Sequence, residues 1–199
     1  LRRSGHTPAF GLRAPISRTS EMTPRIATLM AEYNRWMNHR LFDSATTLAP
    51  PDLLEDRGAY FGSILGTLNH IAVGDTIWLH RFSRHQGGFA SLAALTEFPC
   101  PTSLRQSLAA GLADLRSYRE RLDDIIVGWA NELTHEHLSG DLTYTNTSGL
   151  TSRKSFAALV QHFFNHQTHH RGQVTALLFQ AGVDVGVTDL LAVIPSNDA

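Results

Sequence analysis

Apolar side chains recur at three- and four-residue spacings through most of this chain, and this period limits the fold more than any other feature. Four long stretches carry it, and three of them end shortly before a proline or a glycine. They run from Met22 to about Leu48, from about Asp56 to Arg84, from Thr102 or Ser103 to about Asn131, and from about Ser152 to Ala181. Four long helices without a credible sheet must bury their apolar faces against one another. The sequence therefore predicts an all-α four-helix bundle.

The segment before the fourth helix has no helical period. Residues 141–149 are rich in β-branched and turn-forming side chains, which predicts an irregular connection or a short hairpin. No internal repeat or linker divides the rest, so residues 21–199 are predicted to form a single domain. Residues 1–20 contain four arginines and no acidic residue, and we expect them to be a disordered leader or extension.

The bulk composition excludes several functional classes. The chain has 199 residues, is 42% hydrophobic and carries a net charge of -1, so it offers neither a basic surface for nucleic acid nor an electrostatic membrane anchor. No apolar run reaches the ~18 residues that a membrane-spanning helix needs. Cys100 is the single cysteine, so an intrachain disulfide is impossible, which fits a reducing compartment. We therefore predict a cytoplasmic protein with no nucleic-acid or membrane partner.

Histidine is unusually abundant, with eleven residues in all. His166 and His170 are four apart, so they lie one turn above each other on one face of the fourth helix. A helical wheel places this pair on the apolar, inward side and leaves His162 and His169 outside it. Two imidazoles at this spacing can bind one divalent metal ion. The alternative is a pair of core imidazoles, each hydrogen-bonded to its own buried partner.

A metal site needs at least one more ligand from another helix. The second helix offers Asn69, His70, Asp75 and His80. Its densest apolar stripe contains Asp75, while His70 lies roughly opposite that stripe. The period alone therefore favours Asp75 and a site with two histidines and one carboxylate, and His70 stays open as the alternative.

Several motifs together resemble the DinB superfamily, the damage-inducible, YfiT-like proteins. The second helix carries Asn69-His70, Asp75 and Trp78, and the last helix carries His166-x3-His170-Arg171-Gly172-Gln173. The opening Tyr33-Asn34-Arg35-Trp36-Met37-Asn38 and the later Ala181-Gly182-Val183-Asp184 also match. The resemblance covers about residues 22–195.

The resemblance implies an up-up-down-down four-helix bundle with a divalent metal near one end. The implied ligands are three histidines, which correspond here to His70, His166 and His170. Homodimers are common in that family, so the resemblance also implies a homodimer. Family members with known activities include bacillithiol S-transferases, a mycothiol-dependent maleylpyruvate isomerase and a domain of ergothioneine-forming enzymes, and many others have no known activity.

The residues fit this chemistry. Three neutral imidazoles would leave a Zn, Ni or Fe(II) ion its full charge and an open position, where a thiol or a water molecule would become a nucleophile. Arg171 would bind a substrate carboxylate or pair with an acid on a neighbouring helix. Asp75 and Asn69 are candidates to hydrogen-bond the ligand imidazoles from behind.

Three functional hypotheses follow. The leading one is a metal-dependent transferase that activates a low-molecular-weight thiol toward a small-molecule electrophile. The others are a non-catalytic metal-binding stress-response protein and a metal-dependent hydrolase. The sequence alone does not decide whether the protein is an enzyme.

Overall fold

A computed structural model describes residues 22–196, so the prediction for residues 1–20 lies outside the described part. The described chain is mostly helical with one small sheet, which confirms the all-α expectation. The helices are α1 Pro24–Ala45, α2 Pro50–Leu54, α3 Ile64–Phe82, α4 Leu112–Glu132, α5 His135–Ser139 and α6 Phe156–Gln180. Two 3-10 segments, Ala90–Glu97 and Leu190–Val193, supplement them.

Local side-chain chemistry fixes where the long helices begin. The Thr23 hydroxyl accepts a hydrogen bond from the Ile26 N–H, and Pro24 occupies the first turn of α1, where its missing N–H costs nothing. Ser63 caps α3 and Ser155 caps α6 in the same manner. With these caps, α3 begins eight residues and α6 four residues later than the apolar spacing alone predicts.

The four long helices contact one another in a closed circuit, in which α1 and α3 each pack against both α4 and α6. Two apolar clusters form the core. One contains the start of α1, the end of α3, the end of α4 and the start of α6. The other contains the opposite halves of the same helices. Helices α1 and α6 therefore run in one direction and α3 and α4 in the other.

These directions correct the predicted up-up-down-down order, because in chain order the long helices run up, down, down and up. The physical reason lies in the connections. Residues 83–111 between α3 and α4 are long enough to return the chain to the same end, which makes these two helices parallel. The other two connections, residues 46–63 and 133–155, join neighbouring ends and leave their helices antiparallel.

A buried polar layer lies between the two apolar clusters. Arg119 of α4 pairs with Asp75 of α3 at 2.5 Å and with Asp123 at 2.9 Å. The Asp123 carboxylate also accepts hydrogen bonds from the Asn34 and Asn38 amides of α1. Since buried charges are tolerated only when they are paired, this layer fixes α1, α3 and α4 in one axial register.

The predicted third helix begins later than expected. Residues 102–111 are not helical, and α4 starts only at Leu112. Asn69 of α3 explains the difference, because its amide donates to the Gln106 carbonyl and accepts from the Leu108 N–H. The backbone groups that a helix would use are thus bonded to α3, and the segment lies alongside it.

The connection before α6 is a short β-hairpin, which was one of the two predicted forms. Strand β1 Asp141–Thr145 pairs antiparallel with β2 Thr151–Ser155. The Asn146 side-chain oxygen accepts hydrogen bonds from the Ser148 and Leu150 N–H groups and so closes the turn. Tyr144 of β1 packs against Trp78 of α3 with ring centroids 5.2 Å apart, so the hairpin covers one side of α3.

The chain after α6 returns to α1. The Tyr33 hydroxyl donates to the Thr188 carbonyl at 2.6 Å, and the Arg40 guanidinium donates to the Val185 carbonyl at 2.6 Å. Between residues 22 and 196, none of the helices is both long and apolar enough to span a bilayer.

Candidate metal centre

Three histidines converge between α3 and α6. One ring nitrogen from each of His70, His166 and His170 lies within 4.8 Å of the others, and the ring centroids are 4.5 to 5.3 Å apart. His70 is the seventh of the 19 residues of α3, and His166 and His170 lie in the middle part of α6. Three nitrogen donors held this close together could hold one divalent ion such as zinc if the rings draw slightly closer, because bonds to nitrogen of about 2.0–2.1 Å join two donors at most about 4.2 Å apart.

His70 is held from two sides. Its Nδ1 lies 3.1 Å from the Leu104 carbonyl oxygen, and a carbonyl oxygen can only accept a hydrogen bond. Nδ1 therefore carries the hydrogen, and Nε2 keeps a free lone pair. The Phe61 ring stacks on the imidazole at 3.6 Å with an angle of 15° between the planes. Both contacts fix the ring orientation, as the support behind a ligand histidine does.

His170 receives similar support from its own helix. Its Nδ1 lies 2.7 Å from the side-chain oxygen of Gln173, so Nδ1 donates and Nε2 is again free. The motif His170-x2-Gln173 thus supplies a ligand candidate and its orienting partner on adjacent turns.

His166 is positioned by packing. Its Nδ1 is buried and has no hydrogen-bond partner among the described residues. The ring lies against the α3 backbone at Gly74, where an added Cβ would stand 2.8 Å from the imidazole Cε1. Such a contact is shorter than van der Waals packing permits. The absence of a side chain at Gly74 is what allows this imidazole to approach α3.

Burial keeps the cluster neutral. It lowers the pKa of His70 to about 4, with the nearby His170 and Arg105 adding to the effect. It also lowers the pKa of His166 to about 3, helped by the neighbouring histidines, and the pKa of His170 moves in the same direction. Neutral imidazoles have the lone pairs that metal coordination requires.

The cluster opens into a cavity of about 550 Å³. Aromatic rings from α3, the hairpin and the loop before α3 form most of its walls. Beside the three clustered histidines, the lining residues are Tyr60, Phe61, Gly74, Ile77, Trp78, Arg81, Leu104, Tyr144, Asn146, Thr147, His169 and Gln173. A concave, largely apolar cavity with a few convergent polar groups is typical of a small-molecule site.

The structure places His70, and not Asp75, beside His166 and His170. Asp75 is fully buried and paired with Arg119 of α4, because it follows Gly74 and therefore lies about 100° further round α3. Burial raises the pKa of Asp75 to about 6, although Arg119 opposes that shift. No hydrogen bond joins Asp75 to the cluster in the described residues.

The outer contacts differ from the predicted ones. The groups that hydrogen-bond His70 and His170 are the Leu104 carbonyl and the Gln173 amide, and not Asp75 or Asn69. Asn69 acts one step further away, because its two hydrogen bonds hold the segment that presents Leu104.

Arg171 does not line the cavity, which corrects the expectation that it binds a substrate. It is 2% exposed. Its guanidinium donates to the Asn34 side-chain oxygen and to the Thr168 hydroxyl and lies over the Tyr33 ring. The predicted acid partner is also missing, since none of the ion pairs in the described residues contains Arg171. Its role is to join α6 to α1 in the core.

Sequence reasoning missed three features of the site. Gly74 is visible in the sequence as a residue without a side chain, but its contact with His166 depends on how α3 and α6 pack. Leu104 contributes a main-chain carbonyl, which carries no sequence signal. Arg81 lines the cavity, and its spacing of eleven residues from His70, three helical turns, was the signal that could have found it.

Comparisons with known proteins identify the family of this chain. The sequence model of the DinB family matches residues 21–197. Protein DinB of Bacillus subtilis (strain 168) is 28% identical over 158 residues, which cover 79% of this chain and 87% of that relative. No solved structure matches. Because the match spans nearly all of the chain and includes the three clustered histidines, the protein belongs to the DinB family.

Proposed function

We propose that the protein binds one divalent metal ion through His70, His166 and His170 and activates a low-molecular-weight thiol for transfer to an electrophile. The observation that carries this proposal is the opening of the histidine cluster into a cavity. A purely structural metal site is closed by protein ligands on all sides, whereas a catalytic one keeps a position free.

The donor set supports a divalent ion. His70 and His170 each have Nδ1 committed to a hydrogen bond and Nε2 free. All three pKa values are lowered, so protons do not compete with a metal near neutral pH. Imidazole nitrogen suits Zn, Ni and Fe(II). A bound ion would lower the pKa of a thiol at its open position and so supply a thiolate nucleophile.

The cavity favours a thiol over water as the nucleophile. Hydrolysis by a metal-activated water is usually assisted by a general base, often a carboxylate. Among the described lining residues of this cavity, none is Asp or Glu. A thiol needs no such base once it has lost its proton, because thiolate sulfur is intrinsically nucleophilic.

The proposed transfer balances simply. The sulfur of the external thiol forms a bond to an electrophilic carbon, the bond from that carbon to its leaving group breaks, and the thiol proton passes to solvent. The chain's residues hold the two reactants together and exclude water. Trp78, Phe61 and Tyr144 provide the apolar walls for that task.

The experiment is a turnover assay with a panel of thiols and electrophiles on metal-loaded and metal-free protein. We expect product only when both metal and thiol are present. His170→Ala should abolish turnover together with metal binding, while His162→Ala, a histidine of the same helix outside the cluster, should retain both. Metal binding without turnover across the panel would favour a non-catalytic metal-binding role, and turnover without thiol would favour hydrolysis.

Three further proposals concern the architecture, the oligomeric state and the location of the protein. The closed circuit of helix contacts supports a four-helix bundle. Exposed apolar side chains near the end of α6 and in the tail, such as Phe179 and Leu191 at 74% and 77% exposure, support a homodimer. The single cysteine remains consistent with a cytoplasmic protein.

A further inference from the structure

Arg81 is the only Lys or Arg side chain among the described residues that line the metal-centre cavity. It is half-buried in the last turn of α3. Its guanidinium lies 4.6 Å from the centroid of the Trp78 ring and 5.2 Å from that of Tyr144. The two rings hold the side chain in a fixed position without using its N–H groups.

No acid neutralises this cation within residues 22–196. The ion pairs formed there include Arg35, Arg57, Arg116, Arg119, Arg121 and Arg153, but not Arg81. Its side chain takes part in no hydrogen bond in the same residues. Burial lowers the pKa of Arg81, and the charges that act on it come from Tyr144, Cys100 and Arg84, with no carboxylate among them. A partly desolvated cation with free donors is able to bind an anion.

Arg81 and the histidines are placed so that one small molecule in the cavity could contact both. His70, Gly74, Trp78 and Arg81 are separated by four, four and three residues, so they follow one face of α3. All four line the same cavity. The rise of about 1.5 Å per residue puts the backbone of Arg81 roughly 16 Å from that of His70, and the side chains of both residues line the one cavity.

We propose that Arg81 binds the carboxylate of an aromatic or similarly planar apolar substrate, whose body lies against Trp78 and Tyr144 with its reacting end toward the histidine cluster. This names the substrate class of the transferase proposed above and rests on that function. A planar guanidinium binds a carboxylate through two parallel hydrogen bonds, and the aromatic walls favour a flat apolar body.

Calorimetric titration with three aromatic carboxylates of increasing length tests the proposal directly. Benzoate, phenylacetate and 3-phenylpropionate are each compared with their uncharged amides, on metal-free and zinc-loaded protein. The metal-free arm excludes direct binding of the carboxylate to zinc. We expect at least one acid to bind about tenfold or more tightly than its amide in both arms, the ratio that one charge-assisted contact supplies.

Three variants give the test its control. Arg81→Gln should remove the preference for the acid over the amide, and Arg81→Lys should keep part of it because the charge remains. Arg84→Gln should behave like the wild type, since Arg84 lines a neighbouring cavity and not this one. Unchanged zinc content of Arg81→Gln would show that the variant still folds.

Equal binding of acid and amide by the wild type, or an undiminished preference in Arg81→Gln, would overturn the proposal. Either result is separate from a failure of the transferase function, which would appear as missing metal or missing thiol-dependent turnover while the Arg81-dependent preference in metal-free protein persists.

Discussion

Gly74→Ala should weaken metal binding although it replaces none of the three candidate ligands. The added methyl group would stand 2.8 Å from the His166 Cε1, whereas ordinary contacts begin near 3.4 Å. The imidazole would therefore retreat by roughly 0.6 Å, about three times the ~0.2 Å by which metal–ligand distances vary. Displacing one of three ligands by this amount should reduce zinc affinity about 10- to 100-fold, the range found when the support of a ligand is removed.

The same substitution should not destabilise the metal-free protein. Alanine is favoured over glycine within a helix by about 0.8–1.0 kcal/mol, and a ring without a metal is free to turn away. We expect the thermal midpoint of the metal-free variant to equal or exceed that of the wild type. Opposite signs for stability and affinity would separate a displaced ligand from general misfolding.

The assay is a zinc titration against a competing chelator, paired with thermal unfolding of metal-free protein. Gly172→Ala is the matched control, because it also replaces a helical glycine but its Cβ would meet nothing within 4 Å. It should leave zinc affinity unchanged. Wild-type affinity in Gly74→Ala would refute the reasoning, since it would mean that His166 does not bind metal in the position seen here.

Three other predictions follow from the structure. Asp75→Ala removes one of the two carboxylates paired with Arg119 and should lower the free energy of unfolding by about 1–3 kcal/mol while zinc stoichiometry is retained, and loss of zinc with normal stability would instead identify Asp75 as a ligand. Arg171→Lys breaks contacts to α1 and should lower the thermal midpoint in denaturation scans without changing the Michaelis constant of any substrate. Sedimentation at micromolar concentration should give twice the monomer mass, and a clean monomer would contradict the proposed dimer.

Much of the fold could be predicted from the helical spacing of apolar residues and from the prolines and glycines near the helix ends. The four long helices were predicted because their apolar spacing extends over many turns, and Pro24, Pro50 and Gly182 mark boundaries close to those observed. Helix direction was not predictable in this way. It depends on how far residues 83–111 travel, and a loop sequence does not encode that distance.

The residues of the candidate site were predictable to different degrees. His166 and His170 share the inward face of one helix, so their spacing together with the helical wheel identified them. The third member depended on the rotation of α3, which packs on several sides and gives an ambiguous wheel. The family resemblance selected His70, and the buried pair with Arg119 shows why the apolar stripe pointed to Asp75: that carboxylate is neutralised inside the core.

The central claim is that His70, His166 and His170 bind one metal ion, and metal content tests it most directly. Protein purified without chelator or nickel resin should contain about one divalent ion per chain by elemental analysis. His70→Ala and His170→Ala should lose most of it, whereas His162→Ala should keep it. Equal metal content in all four proteins, or none in the wild type after incubation with zinc, would contradict the assignment.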